Sequence, residues 1–218
     1  MSLTLSQAIT GVRNMLNEAT SVFWSDTEIQ SWIEEGCKDF SSKSLMVESD
    51  GDVTLVANQV VYDSSDAAFI STILEPYAAL YNDGSDNWKG MLKIQPRMIG
   101  NEATNKAGPS KNYALHNKKI YIWPAPTAAM IAAGATIRIL YAKQTNDITA
   151  LTDEYQHIPM LYAKAMCLYK DRRFQEGNSM MSLYSSFVSF ERGDKHNREV
   201  DSLDMFKVKP KGGQNGAA

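Results

Sequence analysis

Histidine and cysteine are the first residues to consider for chemistry in this 218-residue chain, because they bind metals and act as nucleophiles. His116, His157 and His196 are predicted to lie in a turn, at a helix start and in a polar tail, without the short spacing of metal ligands. Cys37 and Cys167 lack a CxxC arrangement and lie on apolar helix faces. We therefore expect buried free thiols, with no disulfide framework, no metal and no cofactor.

Paired carboxylates are the second candidate, since two of them can serve as acid and base in a hydrolase. Glu34, Glu35 and Asp39 are close in sequence, but together with Gln30 and Lys38 they form the outer face of an amphipathic helix. The chain contains no GxSxG motif, no glycine-rich phosphate loop and no HExxH motif. We interpret these acids as a solvated surface and expect no catalysis.

The composition is that of a globular protein. Hydrophobic residues make up 44% of the chain, enough for a substantial core, and the formal net charge is −3. The first residues lack the basic start and apolar stretch of a signal peptide. The most apolar window, residues 125–142, contains Gly134 and Arg138 and is too broken to cross a bilayer. We expect no export and no membrane partner.

Two capped helices are predicted near the N-terminus. Thr4 with Gln7 and Ser25 with Glu28 have the spacing of a capping box, and Trp24 stands where a hydrophobic staple begins. An apolar face follows each cap: Leu5, Ala8, Ile9, Val12 and Leu16 in the first helix, and Ile29, Trp32, Ile33, Gly36, Cys37 and Phe40 in the second. The exposed face of the second helix is mostly acidic, which argues against a DNA-recognition helix.

Strand and turn signals dominate residues 50–143. Tyr113 and Leu115, a turn at residues 116–118 and the run from Ile120 to Trp123 predict a hairpin that Pro124 ends. A second hairpin is predicted to pair Val53 and Leu55 with Val60 and Tyr62. Residues 70–81 fit a strand or a helix. The sum is a small antiparallel sheet or barrel.

The Ala-rich loop at residues 127–134 carries Met130 and Ile131. Exposed apolar loops often mark contact surfaces, so these two residues are candidates for a subunit or tail contact. Packing of the loop onto its own sheet is an equal alternative.

The C-terminal third predicts two more helices and a tail. The apolar faces contain Ile158, Leu161, Tyr162, Ala165, Leu168 and Tyr169 in the first helix, and Met180, Leu183, Tyr184, Phe187 and Val188 in the second. The break between them is predicted near Gly177-Asn178. These faces need the N-terminal helices as partners, which predicts a four-helix bundle built from both ends of the chain. Residues 194–218 are polar and should be disordered alone.

The order of these features resembles one known family, the head-to-tail adaptor proteins of tailed bacteriophages, also called connector or head-completion proteins. The resemblance rests on the following features in chain order: an N-terminal helix, a helix opening on Trp24-Ser25-Asp26, Gly108-Pro109, Tyr113-Ala114-Leu115, Ile122-Trp123-Pro124-Ala125-Pro126, a strand ending at Tyr141, a helix entry at Ile158-Pro159 and a polar tail.

The resemblance implies an α+β fold in four parts. The parts are N-terminal bundle helices at residues 1–49, an inserted antiparallel β domain at 50–143, C-terminal bundle helices at 144–193 and an extended tail at 194–218. The resemblance further implies that the protein forms a ring of twelve copies below the portal protein, in the head-tail neck of the virion. It also implies that the ring is assembled in the host cytoplasm. Double-stranded DNA passes through the ring without sequence recognition, and tail, nozzle or tail-hub proteins attach below it.

The resemblance also implies that the C-terminal segment embraces the portal. Phe206 is a lone aromatic residue in a polar stretch and is expected to fill a portal pocket, while Lys207, Lys209 and Lys211 meet acidic portal residues and Pro210 keeps the segment extended. The two alternatives for function are a virion-associated cell-wall hydrolase and a nucleic-acid-binding protein.

Overall fold

The computed structural model describes residues 2–18, 23–85, 87–99 and 107–205, except for the side chains of residues 98, 99 and 194–205. The helices are α1 (Leu5–Leu16), α2 (Asp26–Ser44), α3 (Pro96–Ile99), α4 (Ala128–Ala132), α5 (His157–Lys170) and α6 (Phe174–Met205). The strands are β1 (Glu48–Thr54), β2 (Val61–Tyr62), β3 (Ile73–Asn82), β4 (Trp88–Gly90), β5 (Leu92–Lys93), β6 (Asn112–His116), β7 (Lys119–Trp123) and β8 (Thr136–Lys143).

The helices of the two chain ends form one bundle. α5 packs against α1, α2 and α6, and α2 also contacts α1 and α6. Their shared core contains Ala8, Val12, Ile29, Ile33, Phe40, Ile158, Ala163, Leu168 and Tyr184. The predicted α+β fold, with β-sheets inserted between the N- and C-terminal helices, is confirmed.

Both predicted capping boxes are present. The Gln7 backbone N–H donates to Thr4 Oγ1 over 3.3 Å, and the Thr4 N–H donates back to Gln7 Oε1 over 2.8 Å. Ser25 and Glu28 exchange the same two bonds, at 3.2 and 3.1 Å. These bonds satisfy N–H groups that have no partner within the helix, so each helix begins where the sequence indicates.

Gly36 lies where α2 and α5 approach each other closely. A Cβ atom built on Gly36 would lie 3.0 Å from Tyr162 Cβ and 3.1 Å from the Pro159 carbonyl oxygen. The absence of a side chain at Gly36 therefore lets the two helices pack closely.

The break between the last two helices lies earlier than predicted. α5 ends at Lys170 and α6 begins at Phe174, so Gly177 stands in the first turn of α6. A Cβ atom on Gly177 would lie 2.6 Å from the Tyr169 ring. The glycine therefore gives room for an aromatic ring, and the turn is made by Arg172, which has a φ of +59°.

Among its described residues, the inserted region contains two four-stranded sheets. One has the order β1-β8-β3-β4 and the other β2-β7-β6-β5. Every strand pair is antiparallel except β5 with β6. Both sheets contribute to a second core that includes Val53, Ile73, Tyr81, Ile137 and Tyr141 from the first sheet and Tyr62, Tyr113, Ile120 and Ile122 from the second.

One of the two predicted hairpins is wrong. Val53 of β1 pairs with Ile137 of β8, while Tyr62 of β2 pairs with Ile120 of β7. The predicted partners thus lie in different sheets, because each strand finds a longer partner far along the chain. The β6–β7 hairpin is confirmed, and its turn residues Asn117 and Lys118 both have positive φ.

Polar contacts join the bundle to the sheets. Tyr77 Oη donates to the Leu45 carbonyl over 2.9 Å, and the Lys143 N–H donates to the Val47 carbonyl over 2.7 Å. Ser41 Oγ, buried in α2, accepts a bond from the Thr145 N–H over 3.2 Å. The contacts meet at the end of α2, where the chain leaves the bundle for β1.

α6 continues as a helix to Met205, so any extended tail begins later than residue 194. The sequence offers a reason, since Glu191 with Lys195 and Asp194 with Arg198 have the four-residue spacing that supports exposed helices. The prediction relied on apolar periodicity, which ends near Gly193, and charged pairs do not contribute to that pattern. Residues 206–218, which hold the predicted portal-binding residues, lie outside the described residues.

Candidate assembly surfaces

The cysteines lie in the bundle core, away from solvent. Cys37 and Cys167 are both fully buried and free, and burial raises the pKa of each thiol to about 12. A thiol with such a high pKa is not a nucleophile at neutral pH. Both residues serve as small apolar side chains, as the sequence predicted.

The histidines do not converge. His116 ends β6, and His157 begins α5, where its ring meets the Phe187 ring edge-to-face with centroids 5.3 Å apart. His196 lies in α6 at a position whose side chain is not described. Within the described residues, no group of three or more His, Cys, Asp or Glu side chains could hold a metal ion.

The acids of α2 are held by neighbours on the same helix or across the bundle. Glu34 accepts from Gln30 Nε2 over 2.8 Å. Asp39 forms an ion pair with Lys43 at 2.8 Å and accepts from Tyr184 Oη over 2.7 Å. Burial, followed by a hydrogen bond with Glu35, raises the pKa of Tyr162 to about 12. These carboxylates brace the helices, and the geometry gives no support to a hydrolase pair among them.

A salt-bridged row lies on the outer face of the first sheet. Arg138 of β8 donates through Nε and Nη2 to the two Asp52 oxygens at 2.8 and 2.9 Å, and Asp50 stands 3.7 Å from Nε. The Arg138 guanidinium also lies 4.8 Å from the centroid of the Trp88 ring. The hydrogen bonds from Arg138 lower the pKa of the Asp52 carboxyl. Sequence reasoning missed this group, although Glu48, Asp50 and Asp52 alternate as the outer face of a strand should.

The same face is concave. An open cavity of about 520 Å³ is lined by Glu48, Ser49, Asp50, Tyr77, Leu80, Arg138 and Leu140. Tyrosine, tryptophan and arginine beside aliphatic side chains are the composition of protein interfaces. The cavity has no set of convergent catalytic groups, so it suits a protein contact better than a reaction.

α6 presents apolar side chains outside the bundle. Phe190 is 71% exposed and Leu183 is 40% exposed, on the side of the helix that also carries the half-buried Phe187. α6 has 32 residues against 14 in α5, a difference of about 27 Å at 1.5 Å per residue. The C-terminal part of α6 therefore extends beyond α5 and does not pack against it.

The predicted contact residues of the Ala-rich loop turn inward. Met130 and Ile131 lie in α4, are half-buried and pack against the core between the sheets. The exposed residues of this segment are Gly134 and the alanines at 128, 129, 132 and 133. A subunit or tail contact at Met130 and Ile131 stays a prediction, and the structure shows that these side chains also support their own sheet.

The fold and its surfaces define a class: a helical bundle with an inserted β region, whose conspicuous polar groups brace helices and strands instead of meeting around a reaction centre. No described helix combines the length and the apolar character that crossing a membrane requires. A comparison with curated proteins gives no match.

The family model of the SU10 adaptor protein matches residues 3–195, which is nearly the whole chain. The chain therefore belongs to this family of phage head-to-tail adaptors, as its sequence features suggested. The match spans both sheets, the helices α1, α2 and α5, and α6 as far as residue 195. The family is a structural one, and its members connect other virion proteins.

Proposed function

We propose that this protein forms a ring of twelve copies in the neck of the virion, between the portal protein above and the tail, nozzle or tail-hub proteins below. The family match over residues 3–195 carries this proposal. In such a ring one patch of each copy contacts a different patch of the next, and the rotation closes. The ring extends the DNA channel, helps to retain packaged DNA and offers the platform for tail attachment.

The charge of the chain supports a conduit for DNA. Each copy has a formal net charge of −3, so the assembled ring is strongly negative. Like charge keeps the duplex from binding to the channel wall and lets it slide during packaging and ejection. Sequence-specific DNA recognition is no part of this role.

The segment after α6 is proposed to attach the ring to the portal. Phe206 is the only aromatic residue between 191 and 218, and a single large apolar side chain in a polar stretch suits a pocket on a partner. Twelve linked copies bind together, so a weak contact at each copy gives tight attachment of the ring.

Native mass spectrometry of the protein with purified portal tests the proposal. We expect twelve copies on each portal ring, and smaller species when the portal is omitted. A portal-bound complex with a different number of copies, or no complex at all, would contradict the proposed ring. Hydrolysis of cell-wall or nucleotide substrates that a single substitution abolishes would contradict a purely structural role.

A further inference from the structure

β1 is the edge strand of the first sheet. It pairs with β8 along its whole length, from Glu48 opposite Ala142 to Thr54 opposite Thr136, and it stands last in the sheet order. Within the described residues, no other backbone bonds to its outer edge. An edge of seven residues with open N–H and C=O groups can accept an additional strand.

The exposed face of β1 is acidic at every second position. Glu48, Asp50 and Asp52 are exposed, and the alternation of a strand places them on one side of the sheet. Asp50 and Asp52 share the single guanidinium of Arg138, so that pair keeps a net negative charge beside Glu48. The Asp50 side chain is 64% exposed. An added strand with cations at alternate positions would face this row.

The chain contains such a segment after the end of α6. Lys207, Lys209 and Lys211 also stand at every second position, and residues 206–218 contain no acid. Pro210 falls between two of the lysines. In a strand, alternate residues direct their N–H groups to opposite sides, so a register with the lysine N–H groups toward β1 directs the Pro210 nitrogen away from it. The proline is therefore compatible with an outermost strand and stops further strands from adding.

The position of α6 bears on which copy supplies the segment, because α6 packs against α2 and α5 and, among the described residues, not against β1. β1 starts beside Tyr155, since Glu48 and Tyr155 line one cavity of about 600 Å³. α6 passes this region at Phe187, which contacts His157, and then runs 18 residues to Met205, about 27 Å. Lys207 follows only two residues later, a link of about 7 Å at most. The helix thus delivers the lysines away from the start of its own β1.

We propose that residues 207–211 of one copy add as a strand to the outer edge of β1 in the neighbouring copy, with the three lysines facing Glu48, Asp50 and Asp52. This inference rests on the proposed ring and gives it one of its head-to-tail contacts. It assigns the lysines to the ring, whereas the sequence alone suggested the portal rim, and it leaves Phe206 to the portal. The two patches differ, as a ring contact requires.

Cysteine cross-linking in the full chain tests the contact directly. One population carries Asp50→Cys, a second carries Lys209→Cys, and the two are mixed under mild oxidation. The native Cys37 and Cys167 are fully buried and stay out of the reaction. We expect a disulfide-linked dimer on a non-reducing gel. The matched control replaces Asp50→Cys by Ser49→Cys, because a shift of one residue turns the side chain to the other face and should slow the cross-link about tenfold.

Equal cross-linking of the control would overturn the proposed register, and no cross-linking of either would overturn the contact. A chain that carries both Asp50→Cys and Lys209→Cys tests the same-copy alternative. If that chain closes a disulfide without any increase in mass, the segment folds back on its own copy and the inference is wrong.

Charge exchange provides a second readout, the self-association constant from sedimentation at low salt. Asp50→Lys or Lys209→Glu should each weaken association about fivefold, because like charges then oppose each other across the strands. The double exchange should restore it, while Glu176→Lys, at an exposed acid in the first turn of α6 and away from β1, should change it little. Unchanged association in both single variants would contradict the inference.

The outcomes separate this inference from the proposed function. A portal complex of twelve copies that shows no cross-link above the Ser49→Cys control keeps the ring and removes the strand contact. A clear cross-link in a protein that forms no portal complex keeps the contact and removes the portal role.

Discussion

Two buried tyrosines in the sheet core, Tyr62 and Tyr81, differ in whether their hydroxyl groups form hydrogen bonds. Tyr62 Oη accepts from the Val56 N–H over 3.1 Å and lies 3.3 Å from the carbonyl oxygens of Val56 and Gln59. Tyr81 is just as buried, but among the described residues its hydroxyl has no hydrogen-bond partner. A buried hydroxyl that has lost its water without gaining a bond destabilises the folded state.

We therefore expect opposite results from the same substitution. Tyr81→Phe should leave the free energy of unfolding unchanged or raise it by up to about 1 kcal/mol, and Tyr62→Phe should lower it by about 1–2 kcal/mol. Urea denaturation followed by circular dichroism measures both values. An equal loss of stability in the two variants would show that the Tyr81 hydroxyl has a partner after all.

Glu28 ties the start of α2 to the end of α5. Its carboxylate pairs with Lys170 Nζ and accepts from the Ser25 N–H over 3.1 Å. The hydrogen bond from Lys170, followed by that from Ser25, lowers the Glu28 pKa from its ordinary value of 4.5. A carboxyl whose pKa is lowered by folding stabilises the protein above its unfolded pKa, and this contribution disappears as the pH falls through the folded pKa.

Glu28→Gln should therefore flatten the loss of stability below about pH 4.5. The flattening should be partial, since arginine, serine or lysine partners also lower the pKa values of Asp52, Asp63 and Asp83. Urea midpoints measured from pH 7 to pH 3 report the slope. Glu154→Gln, at an exposed glutamate without an ion pair among the described residues, serves as the control. If both variants follow the wild-type slope, the Lys170 bridge contributes nothing.

The helices were predictable because their signals are local. A cap, its return partner and the first apolar residues lie within one turn, so Ser25 and Glu28 identify the start of α2 without any knowledge of the remaining chain. Pairing of β1 was not predictable in this way. Its partner β8 begins at Thr136, some eighty residues later, and Val60 and Tyr62 offered a closer partner with a similar pattern. The helix break was wrongly predicted near Gly177 for a related reason. This glycine accommodates the ring of Tyr169, which lies on the preceding helix.

At the scale of the whole molecule, the chain builds two cores with different connectivity. The bundle core joins residues from both ends of the sequence, and the sheet core is contained within the insertion. Sequence periodicity indicated both, because apolar faces that lack a local partner must find one elsewhere. It did not indicate the Arg138–Asp52–Trp88 group or the exposed length of α6. Those features depend on cross-strand register and on the relative lengths of packed helices.

The portal-binding role of the C-terminal segment yields the last prediction. α6 is helical to Met205, so truncation after this residue removes the segment and leaves the bundle and sheets unchanged. The truncated protein should keep its circular dichroism spectrum and its unfolding midpoint but lose portal binding, and particles assembled with it should leak DNA. Phe206→Ala should weaken portal docking more than tenfold, since a buried aromatic anchor contributes about 2 kcal/mol or more.

The lysines supply the control for this prediction. Lys209→Ala should weaken portal docking by a smaller factor, because the exposed ion pair that it forms with the neighbouring copy contributes about 1 kcal/mol or less to the assembly of the ring. Surface plasmon resonance with immobilised portal at two salt concentrations distinguishes the two losses, since only the loss caused by the lysine should shrink at high salt. Unchanged portal affinity after truncation at Met205 would place the attachment surface elsewhere. The exposed Phe190 and Leu183 of α6 would then be the next residues to replace.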